Sequence, residues 1–399
     1  MAEKVTGNIY SEEISLTADA EYQDYVQLNL RKIKEFRQGF QVPVIGIAGT
    51  EGKTTTKLML ASILSQRGPI LETPLDCDSA SDITSTILKL NKQHKYVLIE
   101  LGLINRDQFK MAVDVSLPTI GLITTIGESH LAGLGDKYSI ADTNVELIRR
   151  LPPNGFASLN IDDELVSGMD ALSPTPQVVK FGFNVNAHFY ASHIQYLGPE
   201  GMEFFVNDYY KFHLPIYGST SISNALAAVS IARVLGLEYD EIKTGLENNF
   251  KLLPGRGNLI DLKDVYILDY TYNATLNAVT KACESLVQFK NFSKNLVLVL
   301  GNLESVGKSV ENIHLNLGYY ISALPINVVI TVGDNAKFVG EGIRRINHNR
   351  KVISHVAEPE SLPQTILDYL TPHTTLLMMG EKSLNLKGQL KKLIEQIQG

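Results

Sequence analysis

The segment that most constrains this chain is Gly46 to Thr56, GIAGTEGKTTT, which joins a short apolar run to a helix-length amphipathic stretch reaching about Arg67. Glycines at 46, 49 and 52 let backbone N–H groups curl around phosphates. Lys53 is spaced to reach β- and γ-phosphates, and the Thr54 hydroxyl to ligate Mg2+. The dipole at the start of the following helix favours the same anion. Strand, glycine loop and helix in this order form the context that a phosphate loop requires. The strict GxxxxGK[ST] form would need glycine at 47, where this chain has Ile47.

The rest of the chain fits an α/β fold with a mainly parallel sheet. Short β-branched runs alternate with amphipathic stretches of helical length. Strands are expected at Val44–Ala48, Tyr96–Leu101, Thr119–Thr125, Phe156–Asn160, Val265–Asp269, Leu296–Leu300, Val328–Val332 and Thr375–Met379. Between the two groups, Val178 to Ile216 alternates polar and apolar residues and carries turn signals at Gly198-Pro199-Glu200-Gly201 and Val206-Asn207-Asp208, which reads as a small antiparallel insertion. A helix from about Ile222 to Leu235 stops at Gly236, and Leu253-Pro254-Gly255-Arg256-Gly257 reads as a linker. The expected organisation is therefore a short N-terminal segment, 1–42, with an amphipathic helix from Tyr22 to Phe36; a P-loop domain, 43–252; and a Rossmann-like α/β domain, 253–399. The first segment is below the usual lower limit of about 50 residues for an independent domain.

Composition narrows the function classes. With 399 residues, 44% hydrophobic and 20% charged, the chain has room for two or three domains, each with its own core. A net charge of −7 argues against a nucleic-acid partner held by bulk electrostatics. Cys77 and Cys283 stand far apart without a CxxC pattern or a Cys/His cluster, so a disulfide framework and a structural zinc site are not expected. Both are read as packing residues. The N-terminus has no apolar core of a signal peptide, and apolar runs such as Leu296 to Leu300 are too short to span a bilayer. A cytoplasmic setting without membrane insertion is expected.

The three-glycine spacing followed by Lys-Thr-Thr-Thr resembles the Mur ligase family, and the likeness continues along the chain. Tyr96 to Gly102, YVLIELG, resembles the family's strand that ends in a Mg2+-binding glutamate, here Glu100. Thr124 to Gly135 resembles the segment whose histidine, here His130, binds a second Mg2+, and Leu151 to Glu164 the strand closing with Asn160, Asp162 and Asp163. Asn224, Arg256, Asp269 with Tyr272-Asn273-Ala274, and the stretch Val299 to His314 continue the match in order. The Tyr-Asn-Ala triplet and the last stretch resemble the D-alanyl-D-alanine-adding branch more than the folylpolyglutamate synthetases.

The resemblance implies an ATP-dependent ligase that condenses a small-molecule carboxylate with an amine or amino acid through an acyl phosphate, with ATP and Mg2+ as cofactors. It implies catalytic roles for Lys53, Glu100, His130 and Arg256; nucleotide contacts from Gly49, Thr50, Glu51, Gly52, Lys53, Thr54, Thr55, Asn224, Arg256 and Asp269; and metal contacts from Thr54, Glu100 and His130. Read without the resemblance, Glu100 is equally a solvated strand-end carboxylate, His130 a loop histidine, Asp269 a helix N-cap and Tyr209-Tyr210 a sheet surface. Glu100 and Asp269 nevertheless fall at the carboxyl ends of strands, where ligands bind in open α/β sheets.

Three departures qualify the resemblance. Many relatives carry a carbamylated lysine that bridges Mg2+ ions where this chain has Asn144, and an asparagine amide cannot be carbamylated. Asp142 and Glu146, each two residues away, point roughly 200° off that helix face and are no obvious stand-ins. The Gly-x-His-Asn-x-x-Asn pattern survives only as Gly218 and Asn224, with Thr220 and Ser221 in place of His and Asn, and the acidic residue expected after Val-Leu-Gly is Asn302, with Glu304 nearby. Finally, no UDP-binding domain fits ahead of Pro43, which leads to the expectation of a substrate other than a standard UDP-muramoyl peptide. A nucleotide-binding homologue acting as a partner or regulatory subunit, and a ring-closing ligase of tetrapyrrole coenzyme synthesis, stand as alternatives.

Overall fold

The computed structural model describes residues 19–75, 79–102, 105–127, 136–303, 309–346 and 351–398. Its first sheet is built around β1 (Val44–Ala48), every residue of which is buried. A central strand with helices on both faces must be apolar on both, and Val-Ile-Gly-Ile-Ala meets that demand. The other strands are β2 (Ile70–Glu72), β3 (Tyr96–Glu100), β4 (Ile120–Ile123), β5 (Phe156–Asn160), β6 (Val178–Gly182), β7 (Phe189–Tyr196), β8 (Met202–Val206) and β9 (Tyr210–Leu214). They lie in the order β2-β3-β1-β4-β5-β6-β7-β8-β9. β1 pairs in parallel with β3 on one side and β4 on the other. The chain leaves β1 for the β2 edge and returns across it to β4, so strand order reverses at β1, and a crevice opens at its carboxyl end.

The helices that cover this sheet are set by local signals. Helix Lys53–Leu64 starts at Gly52 and tightens into a 3-10 turn, Ser65–Arg67, where the sequence pattern ends. Helix Ala80–Ile87 opens with a capping box between Ser79 and Asp82. Helix Asp19–Gln38 covers the expected Tyr22 to Phe36. Its Ile33 and Phe36 join Val97, Ile99, Phe109 and Ile148 in the core. Buried Arg37 fastens its end by donating to the carbonyl oxygens of Ser116, Phe40 and Val42.

The insertion differs from expectation in its first strand. β6 runs parallel to β5, and β7 pairs in parallel with β6 over Phe181–Gly182. The alternating pattern reports a half-exposed sheet and carries no information on strand direction. The turn between β8 and β9 is where the sequence places it, with Asn207 and Asp208 at φ 53° and 62°, the conformation of a tight hairpin.

The second sheet comprises β10 (Asn258–Asp261), β11 (Val265–Tyr270), β12 (Asn295–Leu300), β13 (Val328–Val332), β14 (Val352–Val356) and β15 (Thr374–Met379), in the order β10-β11-β15-β12-β13-β14. All pairings are parallel except that of β10 with β11. Alternate residues feed two cores. Leu268, Leu298, Leu377 and Met379 face one layer, and Ile267, Val297, Val299 and Met378 the other. β2, β10 and β14 were not expected: each is short or partly exposed, and an edge strand needs no apolar run.

The chain divides into two compact units. One comprises the chain up to Ser192, Phe205–Phe212 and Ser223–Phe250; the other comprises His193–Phe204, His213–Ile222 and the chain from Lys251 on. Among the described residues no helix is long and apolar enough to cross a membrane.

In the second unit helices Val310–Ser322 and Lys337–Ile346 cross at two glycines. A Cβ on Gly318 would collide with the Val339 carbonyl oxygen and lie 2.9 Å from the Gly342 Cα. Gly318→Ala is therefore expected to push the helices apart and destabilise the unit by about 1–3 kcal/mol, the usual range for overpacking. Urea unfolding of the variant against wild type measures it.

Candidate functional site

The loop that leaves β1 is held from several sides. Gly49 and Gly52 adopt φ of 126° and 85°. Side chains are excluded there for a second reason: a Cβ at 49 would strike Thr124 Oγ1, and one at 52 would strike Asn224 Oδ1. Gly46 has a different role from its two neighbours in the motif. It lies inside β1, and its missing Cβ makes room for Leu147 and Pro118. The Thr50 N–H donates to the Thr125 carbonyl oxygen at 2.8 Å, and the Thr50 hydroxyl accepts from the Gly127 N–H at 2.7 Å. The carbonyl oxygen of Glu51 accepts from Thr124 Oγ1 at 2.6 Å.

The helix begins at Lys53, so the N–H groups of Thr54 and Thr55 have no carbonyl within the helix to receive them. The Lys53 ammonium donates back to the Gly49 carbonyl oxygen at 2.9 Å. Thr54 Oγ1 donates to Glu100 Oε1 at 2.6 Å, joining the start of the helix to the carboxyl end of β3. Asn224, on helix Ser219–Val234, lies within 3.4 Å of Thr56 Oγ1 and packs on Gly52. Gly49, Thr50, Glu51, Gly52, Lys53, Thr54, Thr55, Glu100 and Asn224 thus come together in the first unit.

Asp269 and Arg256 lie in the second unit, on a turn of their own. The Asp269 carboxylate accepts from the Gly255 N–H at 2.9 Å, the Thr271 N–H at 3.0 Å and the Thr271 hydroxyl at 2.6 Å. The alternative of a helix N-cap does not hold, because that position belongs to Thr275, which caps helix Leu276–Gln288. The turn places the Arg256 guanidinium 3.8 Å from the centre of the Tyr272 ring, and Lys382 Nζ stands 4.5 Å from the same ring. A cation over a phenol face is stabilised by the ring quadrupole. His130, Glu304 and Cys77 lie outside the described residues.

Two sequence profiles cover most of the chain: Mur ligase middle domain over residues 47–232 and Mur ligase, glutamate ligase domain over 255–382. The chain belongs to the Mur ligase family. Members of this family are ATP-dependent ligases. The UDP-N-acetylmuramoyl-tripeptide–D-alanyl-D-alanine ligase of Synechocystis sp. is 28% identical over 90% of this chain and 76% of its own length. That of Escherichia coli strain K12 is 31% identical over 74% of this chain and 66% of its own length. The crystal structure of MurF from Acinetobacter baumannii superposes with a TM-score of 0.82 at 27% identity, covering 92% of this chain and 80% of that one. MurF from Thermotoga maritima, in complex with ADP, shares the fold, with a TM-score of 0.80 at 20% identity over 94% of this chain and 84% of its own.

Within this Mur ligase Asn144, which the resemblance sets against a lysine of many relatives, has defined partners. Asn144 is fully buried on helix Lys137–Arg149. Its Oδ1 accepts the Gly49 N–H at 2.8 Å and its Nδ2 donates to the Ile140 carbonyl oxygen at 2.8 Å, so the amide pins the loop after β1 to this helix. Glu146 is turned away, as the helical offset requires, into a cluster with Arg106, Arg149 and Arg150. Asp142 pairs with Arg106 and Arg149. The carboxylates of Asp162 and Asp163 are engaged by backbone N–H groups. Asp162 accepts from the N–H groups of Phe183 and Asn184, and Asp163 from those of Ile126, Leu165 and Val166. Asn302 accepts from the N–H groups of Asn335 and Ala336 and donates to Glu381, work that a carboxylate could do only in part.

Sequence reasoning missed three residues. Lys57 ion-pairs with Glu100; its signal was a lysine one turn after Lys53 on a face otherwise buried. Thr73 supports Glu100 by accepting its N–H at 3.0 Å. Lys382 left no signal, because only the fold brings it to Tyr272. Cys283 is buried, which pushes its thiol up to about 12 and suits a packing role. Tyr209 is exposed, while Tyr210 stacks on Tyr239.

Two variants test this scaffold. Burial alone would raise the Glu146 carboxyl, but hydrogen bonds from Arg150, Arg106 and Arg149 outweigh it and hold the group down at about 2. A depressed carboxyl stabilises the fold above its ordinary value, and the contribution is lost as the pH falls from there toward the folded value. Wild type should therefore lose stability between about pH 4.5 and 2, with a steeper urea-midpoint profile than Glu146→Gln. Asn144→Ala leaves a buried N–H without an acceptor and should cost about 1–3 kcal/mol in the same assay.

Proposed function

We propose that this chain is a carboxylate–amine ligase that spends ATP to form an amide bond through an acyl phosphate, acting on the UDP-N-acetylmuramoyl-tripeptide and D-alanyl-D-alanine for which its relatives are named. The observation that carries the reading is the hydrogen bond of 2.6 Å between Thr54 and Glu100, in the crevice beside Lys53. The relatives' shared name is what bears on the substrate, and the expectation of a different carboxylate finds no support in them. Neither alternative, a partner subunit or a ring-closing ligase, is favoured by any contact in the site.

The residues fit a divalent cation and a polyphosphate. A hydroxyl and a carboxylate are hard oxygen donors of the kind Mg2+ prefers, and Glu100 Oε2 is buried without a hydrogen-bond partner among the described residues. The glycines at 49 and 52 keep the loop clear of side chains. Thr54 and Glu100 would hold the metal, with His130 as a further candidate; Mg2+ would supply charge neutralisation between the phosphates and an anionic nucleophile. Lys53 and the helix N-terminus would bind the γ-phosphoryl group. The substrate carboxylate attacks that group and ADP leaves. The amine then attacks the acyl carbon, phosphate departs, and the amine gives up a proton.

We assign nucleotide binding to 43–252, with Gly49, Thr50, Glu51, Gly52, Thr55 and Asn224 shaping the loop. We assign the second reactant to 253–399, where Arg256 beside Tyr272 offers a cation for a phosphate or carboxylate and Asp269 holds the turn that presents it. A cytoplasmic setting, where ATP is abundant, follows from the same reading. Nucleic acid and membrane are not invoked as partners.

ADP release measured with both substrates, and with each omitted, tests the proposal. Release should need both, and Lys53→Ala should reduce it by at least about 100-fold, the usual scale for a charge acting on a transition state. Unchanged turnover in that variant would remove Lys53 from the site. Release that needs a carboxylate but no amine would favour ring closure.

A further inference from the structure

The site contains a buried cation that phosphate binding does not use. Lys57 lies one turn beyond Lys53 on helix Lys53–Leu64, and 1% of its side chain is exposed. Its ammonium donates to the Thr73 carbonyl oxygen at 2.8 Å and stands 3.0 Å from Glu100 Oε2. That oxygen has no hydrogen-bond partner among the described residues, so Lys57 is its ionic partner, while Oε1 accepts from Thr54. An ion buried without compensation is costly, and removing one member of a buried pair costs far more than removing both. The two lysines and Glu100 together carry one net positive charge. Glu72, at the exposed end of the adjoining strand, is a further carboxylate within electrostatic reach of both Lys57 and Glu100.

We propose that Lys57 is the resident counter-ion of Glu100: it holds the carboxylate in place while nucleotide is absent and, by neutralising it, denies free Mg2+ a binding site until the metal arrives with the charge of the phosphates. Lys57 is thus a positioning residue that sets the order of ligand entry. The inference rests on the reading of Glu100 and Thr54 as the metal-facing pair. Its physical basis is a competition. A divalent cation approaching the empty site meets a carboxylate already paired and a second ammonium nearby, and the polyphosphate reverses that balance.

Thermal unfolding of the full chain without substrates separates the possibilities. Mg2+ alone should leave the melting temperature of wild type unchanged, and Mg2+ with ATP should raise it. Lys57→Met should melt lower and be raised by Mg2+ alone by about 3 °C, the scale expected when a cation binds only the folded state. In the double variant K57M/E100Q the uncompensated charge is gone, so melting should recover relative to K57M and the response to Mg2+ alone should disappear. The lost contact to Thr73 is common to both variants and cancels in the comparison. Stabilisation of wild type by Mg2+ alone, or K57M without a Mg2+ response, would overturn the proposal. If K57M does not fold, folding of the double variant upholds charge compensation, and failure of both overturns it by making Lys57 a packing residue. A wild type that Mg2+ and ATP together do not stabilise would instead sink the nucleotide-site reading.

Discussion

The first unit depends on the position of β1 at the point where strand order reverses. A strand flanked by parallel partners on both sides ends in a crevice that no neighbouring connection covers. The residues proposed to bind the nucleotide gather at that opening. The loop leaves β1 there, β3 ends beside it with Glu100, and β4 leads into Thr124 and Thr125, which hold the loop from the other side. The apolar sequence of β1 thus determines where the loop begins as well as how the sheet packs.

Much of this was legible in the sequence. A run of β-branched residues before glycines and a lysine is well suited to a buried strand feeding a phosphate loop and to little else, and the two parallel sheets follow from repeated apolar strands separated by helical stretches. What sequence could not report was partnership. The pattern of Val178 to Ile216 showed that one face is exposed without showing that β6 runs parallel to β5. Lys57 signalled itself only by lying one turn after Lys53 on a buried face, since burial of an ammonium depends on a carboxylate that arrives 43 positions later, at the end of another strand. The same applies to Tyr272, which gains two cations from positions 256 and 382.

The resemblance carried the identification of the family but obscured some residues. Asp162 and Asp163 look like candidates for chemistry in a motif and are occupied with backbone N–H groups in the fold. Asp269 organises a turn through hydrogen bonds from the N–H groups of Gly255 and Thr271. Asn302 uses both ends of its amide, one on a helix start and the other on Glu381, and a carboxylate there would repel the latter. At Asn302 and Asn144, where the chain departs from the family pattern, the amide hydrogen bonds are satisfied locally.

Asn144 shows how firmly one buried amide can fix a position. Asparagine and lysine codons differ by one base, so a single mutation separates the two side chains at 144. The structural distance is large. Lysine at 144 would leave the Gly49 N–H without its acceptor and would bring an ammonium into a pocket with no exposure to solvent. The loop after β1 is thus braced by a neutral amide that a charged side chain could not replace.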